Sequence, residues 1–491
     1  MARFSANSEE WQRAPAQWHG FAFARGGRQS ALICALGILT ACTHYQAAPI
    51  AAEHSAKEFA ARRLTEIPLR DELMRLMPQT VTAWPPREWD RAELLAVALL
   101  QNPQLAVARA QVKAAQAHEI TAAQPPNPDL TLQSEYARND AHPWLYGIDL
   151  NWLLRSPERR RLDSEIAALD TGNARLQLME QAWAVRSALA TALSEWESGR
   201  RRLSLLERLA AAEDRLVALE KQRVDVGEDA PSELLPAEQA RIQVEQEEAD
   251  LRVAVDGAEI AAAKALGLPP QALDGVQFEW SDWGEPPQVD EAKRRQTREQ
   301  ALLSRADLGQ AMGEYAAAES RLKLSIARQY PQFVLSPGYY WDHGIAKFPF
   351  DVGFTLPFDG NRGEIAEARA GRELAAQRML ALQSVIYSDI TAAERAEHIA
   401  RASAEAAERQ LRSAQDQKQA TDLGLRLGAT DRQAQVAAEI ITLRAELEVL
   451  HMRALLQNSR NTLEDVLHAP LSGPELALAK SMASMVSRAG S

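Results

Sequence analysis

The period of the hydrophobic positions changes along this chain. From Arg91 to Ala123 apolar residues recur at helical spacing (Leu94, Leu95, Ala98, Leu99, Leu105, Ala106), and Gln124-Pro125-Pro126-Asn127-Pro128 closes the segment. One helix is expected there. The period then drops to two. Pro128 to Tyr136 sets Leu130, Leu132, Ser134 and Tyr136 against Thr131, Gln133 and Glu135. Trp144 to Leu154 sets Trp144, Tyr146, Ile148, Leu150, Trp152 and Leu154 against Gly147, Asp149 and Asn151. Such alternation predicts two strands. Helical spacing returns over about Arg160–Val226 and Ala230–Leu266, with Gly227 where the chain must reverse. At 1.5 Å per residue the first of these helices would run roughly 100 Å. Helices that long cannot bury themselves in a compact domain, and spacings such as Leu203, Leu206, Leu209, Leu216 and Leu219 suit coiled-coil packing.

The same order then repeats. Asn102-Pro103-Gln104-Leu105 aligns with Arg305-Ala306-Asp307-Leu308, and Pro128 aligns with Pro331, both at an offset of 203. Gly147 aligns with Gly353 at 206, and both Gly227 with Gly428 and Leu266 with Leu467 at 201. A period near 200 is too long for a solenoid and means two copies of one module. In the second copy Phe348, Phe350, Val352, Phe354, Leu356 and Phe358 alternate with Pro349, Asp351, Gly353, Thr355 and Pro357, so a strand is expected over 348–358. Helices are expected at about Glu364–Leu427 and Asp431–Leu467.

Aromatic residues decide how the strands are read. Residues 130–154 and 330–358 hold 13 of the chain's 29 aromatics, which suits the interfacial girdles of an outer-membrane barrel. A soluble sandwich with an aromatic core is the plainer alternative, but it needs more strands than the rest of the chain supplies. Four strands cannot close a barrel, and an open edge is untenable in lipid. Three chains sharing one barrel would give twelve strands, an even number within the known range.

Composition agrees once the order of residues is known. The 491 residues are 46% apolar and 25% charged, with a net charge of −12, which argues against a general affinity for nucleic acid or anionic lipid. The run Ala31 to Ala41, preceded by Arg25 and Arg28, is too short to span a bilayer and has the size of a signal-peptide core. Leu39-Thr40-Ala41-Cys42 resembles a bacterial lipobox, which makes Cys42 the expected acylation site, although a buried helix ending in cysteine has the same pattern. Cleavage there would remove four arginines and two glutamates and leave a net charge of −14. It would also remove Cys34, so the exported chain has no disulfide to hold its fold.

Taken together, ALLQNPQLAVARAQVKAAQA (98–117), PPNPDLTLQSEY (125–136), FTLPFDGNRGEIAEARA (354–370) and RLGATDRQAQ (426–435) resemble the TolC family of outer-membrane efflux channels. Residues 354–370 lean toward its heavy-metal, CzcC- and CusC-like branch. The resemblance implies an α+β membrane protein. Its homotrimer would join a 12-stranded β-barrel, four strands per chain, to a long α-helical coiled-coil tunnel in the periplasm. It also implies a passive duct, not an enzyme and without cofactor, docked to a periplasmic adaptor and an inner-membrane pump.

On that scheme residues 1–41 are a signal peptide, 42–90 an N-terminal periplasmic segment and 91–268 the first repeat. Residues 269–300 are an equatorial linker, 301–470 the second repeat and 471–491 a tail. The resemblance further implies a periplasmic gate, for which Glu233 and Asp431 are candidates, and adaptor contacts at Gly227, Leu234, Leu427 and Gly428. Ordinary helix-start charges would look the same at Glu233 and Asp431. Trp144, Tyr146, Trp152, Phe348, Phe350, Phe354 and Phe358 are expected to face the membrane.

Other chemistry is sparse. The 9 histidines show no paired i, i+4 spacing, and no metal site is expected. His142 and His343 fall in the two hairpin turns. No phosphate loop, dinucleotide fingerprint or nucleophile elbow is present. A multidrug or solvent channel of the same family remains open as the alternative cargo. A pore-less coiled-coil adaptor lipoprotein is the rival architecture, and it predicts one helical hairpin rather than two.

Overall fold

Where the hydrophobic period changes, helices hand over to strands. The computed structural model describes residues 45–77 and 84–476; Cys42 lies outside them. The chain divides into two units, residues 1–57 and 58–491. Helix α1, Ala52–Ala61, begins in the first unit, where Lys57 pairs with Glu53 at 2.7 Å.

The second unit opens with α2 (Ile67–Leu76), strand β1 (Trp89–Asp90), α3 (Arg91–Gln101) and α4 (Pro103–Ala123). The single helix expected over 91–123 is thus two. Pro103 has no N–H to continue the ladder and holds Asn102 in an extended conformation (ψ 124°). Asn102 then caps α4 by accepting from the Gln104 N–H at 2.8 Å and donates to the Ala265 carbonyl at 2.8 Å. Strands β2 (Asp129–Tyr136) and β3 (Trp144–Leu154) follow, then α5 (Pro157–Asp225) and α6 (Pro231–Leu266).

After β4 (Phe278–Glu279) the order recurs as α7 (Glu291–Ser304), α8 (Ala306–Ala327), β5 (Phe333–Asp342), β6 (Ile345–Lys347), β7 (Phe350–Phe354), α9 (Arg362–Arg426) and α10 (Arg432–Leu467). Sequence periodicity misses β1 and β4, which are two residues long and pair in parallel, Trp89 opposite Phe278.

The sheet runs β2-β3-β5 with β6 and β7 both on β5. Tyr340 faces Lys347 and Phe333 faces Phe354, one unbroken antiparallel register, and Gly338 donates to the Pro349 carbonyl at 2.9 Å between them. The fourth strand therefore covers 345–354 with a gap at Phe348-Pro349. The expectation of 348–358 was displaced toward the C-terminus. His343 (φ 48°) and Gly344 (φ 92°) form a two-residue turn that starts pairing earlier, and Phe358 lies beyond the sheet in a turn.

Among the described residues no helix is long and apolar enough to cross a membrane. The 69 residues of α5 extend about 100 Å. Near the strands α4, α5, α8 and α9 lie side by side in that order; toward the hairpin tips the row becomes α6, α5, α10, α9. Apolar packing is concentrated in three places. Leu94, Leu95, Leu193, Trp196, Trp280 and Trp283 form the largest cluster. Leu209, Val244, Ile440 and Leu443 join α5, α6 and α10, and Leu308, Ile386, Ile390 and Leu463 join α8, α9 and α10.

Candidate functional site: two hairpin tips and a two-faced sheet

Both helical hairpins end in the same backbone device. Gly227 (φ 80°) and Gly428 (φ 71°) adopt the left-handed conformation that costs glycine little. In the first tip the Glu228 N–H reaches the Arg223 carbonyl at 2.9 Å, and in the second the Ala429 N–H reaches the Gly424 carbonyl at 2.7 Å. These are six-to-one bonds that close a helix C-terminus. Pro231 and Asp431 then start the returning helices, the latter by accepting from the Ala434 N–H at 2.8 Å. Val226, Leu235 and Leu427 stand exposed around the tips at 66%, 55% and 75%. Leu234 is half-buried.

Charges link the two tips. Arg223 donates to Asp229 at 3.1 Å and to Gln433 at 3.2 Å, and lies 3.8 Å from Asp431. Bonding to Asp229 holds the Arg223 guanidinium above its ordinary pKa. Gln433 in turn donates to Glu220. Asp431 is therefore a helix cap beside a cation, whereas Glu233 is exposed in the first turn of α6, with no ion pair among the described residues. The structure does not join Glu233 to Asp431. Arg223 is the residue that sequence spacing missed, because two of its partners, Gln433 and Asp431, lie in the other repeat.

At the opposite end the sheet separates its residues by face. Register puts Tyr146 beside Trp341, Ile148 beside Tyr339 and Leu154 beside Phe333, with Leu132 and Leu130 on the same side. Phe348, Phe350, Val352 and Phe354 continue that side across β5. Of the aromatics singled out in sequence, Trp144, Tyr146, Trp152, Phe348, Phe350 and Phe354 share this exposed apolar face. Phe358, 93% exposed, does not lie on a strand.

Aromatic rings gather toward both ends, Tyr136 on Trp144 (4.8 Å) near the turns and Phe333 on Phe354 (5.8 Å) near the helices. The other face is polar. Tyr340 donates to Asp149, Ser336 donates to Asn151 at 2.7 Å, and Asp129 and Asp351 lie on the same side. Eleven residues of β3, at about 3.3 Å each and a 45° tilt, cover about 25 Å, the height of a barrel's apolar band.

Between sheet and tips, buried ion pairs fasten the helices together, some across the repeats and some within the second. Arg186 of α5 donates to Glu475 at 2.7 Å and pairs with Glu464 of α10, all three at most 3% exposed. Arg91 meets Glu475 at 3.0 Å. Glu397 receives three arginines: Arg294 at 2.9 Å, Arg460 at 2.9 Å and Arg401 at 3.1 Å. His468 ends α10 in the left-handed region and stacks on Trp183 at 5.4 Å. Burial pushes its imidazole down to about 4. Among the described residues no group of three or more His, Cys, Asp or Glu is placed to hold a metal ion.

This geometry, a two-faced sheet joined to paired helical hairpins, defines an outer-membrane channel fold. Residues 94–268 match the family described as outer membrane efflux protein. The outer-membrane channel OprN is similar in structure at a TM-score of 0.65 and 16% identity, covering 88% of this chain and 98% of its own. VceC of Vibrio cholerae is similar at 0.63 and 16%, covering 78% and 97%. CusC is similar at 0.62 and 16%, covering 79% and 96%. No curated protein matches the sequence. Residues 94–268 thus resemble the outer membrane efflux protein family, and the chain as a whole has the fold of these solved outer-membrane channels.

Proposed function

We propose that three copies of this chain form the outer-membrane duct of a tripartite efflux system. The observation that carries this reading is the sheet: four strands, one apolar aromatic face, one polar face, and unpaired edges on β2 and on the β6–β7 strand. An isolated edge in lipid leaves backbone groups unsatisfied. β2 of one copy beside the β6–β7 strand of the next keeps the antiparallel order, and three copies close at twelve strands. Helices α4 and α9, the ends of the row within one chain, meet in the same way and continue the barrel as a tunnel.

The apolar side chains at the tips, exposed Val226, Leu235 and Leu427 and half-buried Leu234, would receive a periplasmic adaptor, with an inner-membrane pump behind it. Lipidation at Cys42 would add an anchor in the same membrane. Glu233 and Asp431, repeated three times, would ring the periplasmic mouth. With Asp129, Asp149 and Asp351 on the polar face of the sheet they make a passage that favours cations. A metal-cation cargo agrees with this lining and with the likeness of residues 354–370 to the heavy-metal branch.

Two experiments test the proposal. Purified full-length protein in planar bilayers is expected to give discrete conductance and to run as a heat-resistant trimer. Absence of both would point to the pore-less scaffold. Deleting the gene is expected to lower tolerance to zinc, cobalt or copper. Lost tolerance to organic drugs with metal tolerance intact assigns the multidrug cargo instead.

A further inference from the structure

The base of the sheet, where strands become helices, carries exposed cations that form no ion pair, although Lys323 lies near enough to Glu158 to help hold that carboxyl's pKa down. At the β3–α5 junction Arg159 is buried and donates to the Ala327 carbonyl at 3.2 Å, Arg155 pairs with Asp163 at 3.3 Å, and Arg161 pairs with Glu158 at 2.8 Å. At the α8–β5 junction Arg328 pairs with Glu364 at 3.1 Å. Three cations are left over, one at each of three junctions. Arg160, Lys323 and Arg362 are exposed and have no ion pair within 4.0 Å among the described residues.

Helix stability does not explain the two arginines. Arg160 is the fourth residue of α5 and Arg362 the first of α9, and the positive end of a helix dipole disfavours cations there. At the far end of the sheet Lys347 is neutralised by Asp342, while Arg138 in the β2–β3 turn is exposed and in no ion pair among the described residues.

Their position says what they meet. Each lies near an exposed aromatic along the chain: Trp152 (50% exposed) on the apolar face before Arg160, and Tyr330 (72%) and Phe358 (93%), both outside the strands, after Lys323 and before Arg362. Three residues of helix put Arg160 about 5 Å below the start of α5. The headgroup layer beside a bilayer core is about 5–8 Å deep. Aromatic rings at the rim with basic side chains just beyond them are the arrangement that meets lipid headgroups.

We propose that Arg160, Lys323 and Arg362 bind the phosphates of anionic phospholipids in the leaflet on the helical side of the membrane. The inference rests on the channel reading and adds to it a lipid class and the residues that select it. The charge complementarity is specific, since a zwitterionic headgroup offers no net charge to three unpaired cations.

Native mass spectrometry of the detergent-solubilised full-length trimer, titrated with phosphatidylglycerol and phosphatidylethanolamine in turn, tests this. The wild-type protein is expected to retain phosphatidylglycerol preferentially. The combined variant Arg160→Gln, Lys323→Gln, Arg362→Gln should lower that preference by on the order of a hundredfold, given the contribution of each basic residue near an anionic surface. Replacing the two arginines by lysine should keep it.

Equal retention of both lipids by the wild type overturns the proposal, as does an undiminished preference in the glutamine variant. So does a glutamine variant that falls apart to single chains in the same spectra, because the cations would then serve contacts between copies. Conductance of the wild-type protein in bilayers of phosphatidylcholine alone tests the channel reading separately, since it needs no anionic lipid.

Discussion

Arg223 on α5 donates to Gln433 on α10 at 3.2 Å and sits 3.8 Å from the Asp431 carboxylate, so one side chain of the first repeat holds the start of the second repeat's returning helix. The same guanidinium is bonded to Asp229 in its own tip. Removing it takes away one of the links between the two tips, leaving Gln433 bonded to Glu220, without touching a core residue. Arg223→Ala is expected to raise single-channel conductance or open time while leaving the thermal midpoint of the trimer nearly unchanged, because exposed pairs add little stability. Bilayer recordings that match the wild type would remove Arg223 from any part in closing the mouth.

Glu233 offers a cleaner charge test than Asp431. Its side chain is exposed and caps nothing, whereas Asp431 also starts α10. Glu233→Gln should lower the cation-to-anion permeability ratio several-fold if three copies ring a narrow mouth. Asp431→Asn keeps a capping oxygen and should change selectivity with little loss of helix stability. Reversal potentials under a salt gradient read both. A ratio unmoved in Glu233→Gln places that carboxylate outside the conducting path.

The long helices and the strand faces are legible in sequence because each is set by local periodicity. Gly227 and Gly428 mark the reversals for a backbone reason that a sequence shows directly. Pro103 shows its break as well, although helical spacing on both sides of it predicts a single helix. What spacing cannot show is pairing between the repeats. Arg223 with Gln433 and Arg186 with Glu464 join residues more than 200 positions apart, each an ordinary polar residue on a helix until the partner is known. The fourth strand was misplaced for a related reason. Its register is fixed by the turn at His343-Gly344 and not by the alternation that continues past Phe354.

Glu397 is 1% exposed and is the shared partner of Arg294, Arg401 and Arg460, the last of which is equally buried and also donates to the Pro287 carbonyl at 2.7 Å. Removing one carboxylate leaves buried positive charge with no counterion. Glu397→Ala is expected to cost about 3–5 kcal/mol, the range for breaking a buried pair from one side. Glu397→Gln should recover only part of it, since an amide accepts hydrogen bonds but carries no charge. Loss of heat resistance on gels and a lowered thermal midpoint are the readouts. An alanine variant as stable as the wild type would mean that water reaches this cluster.

His468 gives stability a pH dependence whose sign follows from its surroundings. The ring stacks on Trp183, faces Glu180 at 3.8 Å, and has Arg305 and Asp307 near it. Burial, helped by Arg305, brings its pKa down to about 4 in the folded protein, against an ordinary value of about 6.5 when unfolded. Between those values the unfolded chain binds a proton that the native protein refuses, so stability rises with pH. The contribution is complete above about pH 6.5 and is lost progressively as pH falls toward 4, about 3 kcal/mol in all. His468→Asn tests it, because asparagine tolerates the left-handed backbone and does not titrate. The thermal midpoint of the wild type should drop more between pH 7.5 and pH 5 than that of the variant. Parallel curves would show that the imidazole is hydrated in the folded protein and that acid sensitivity arises elsewhere.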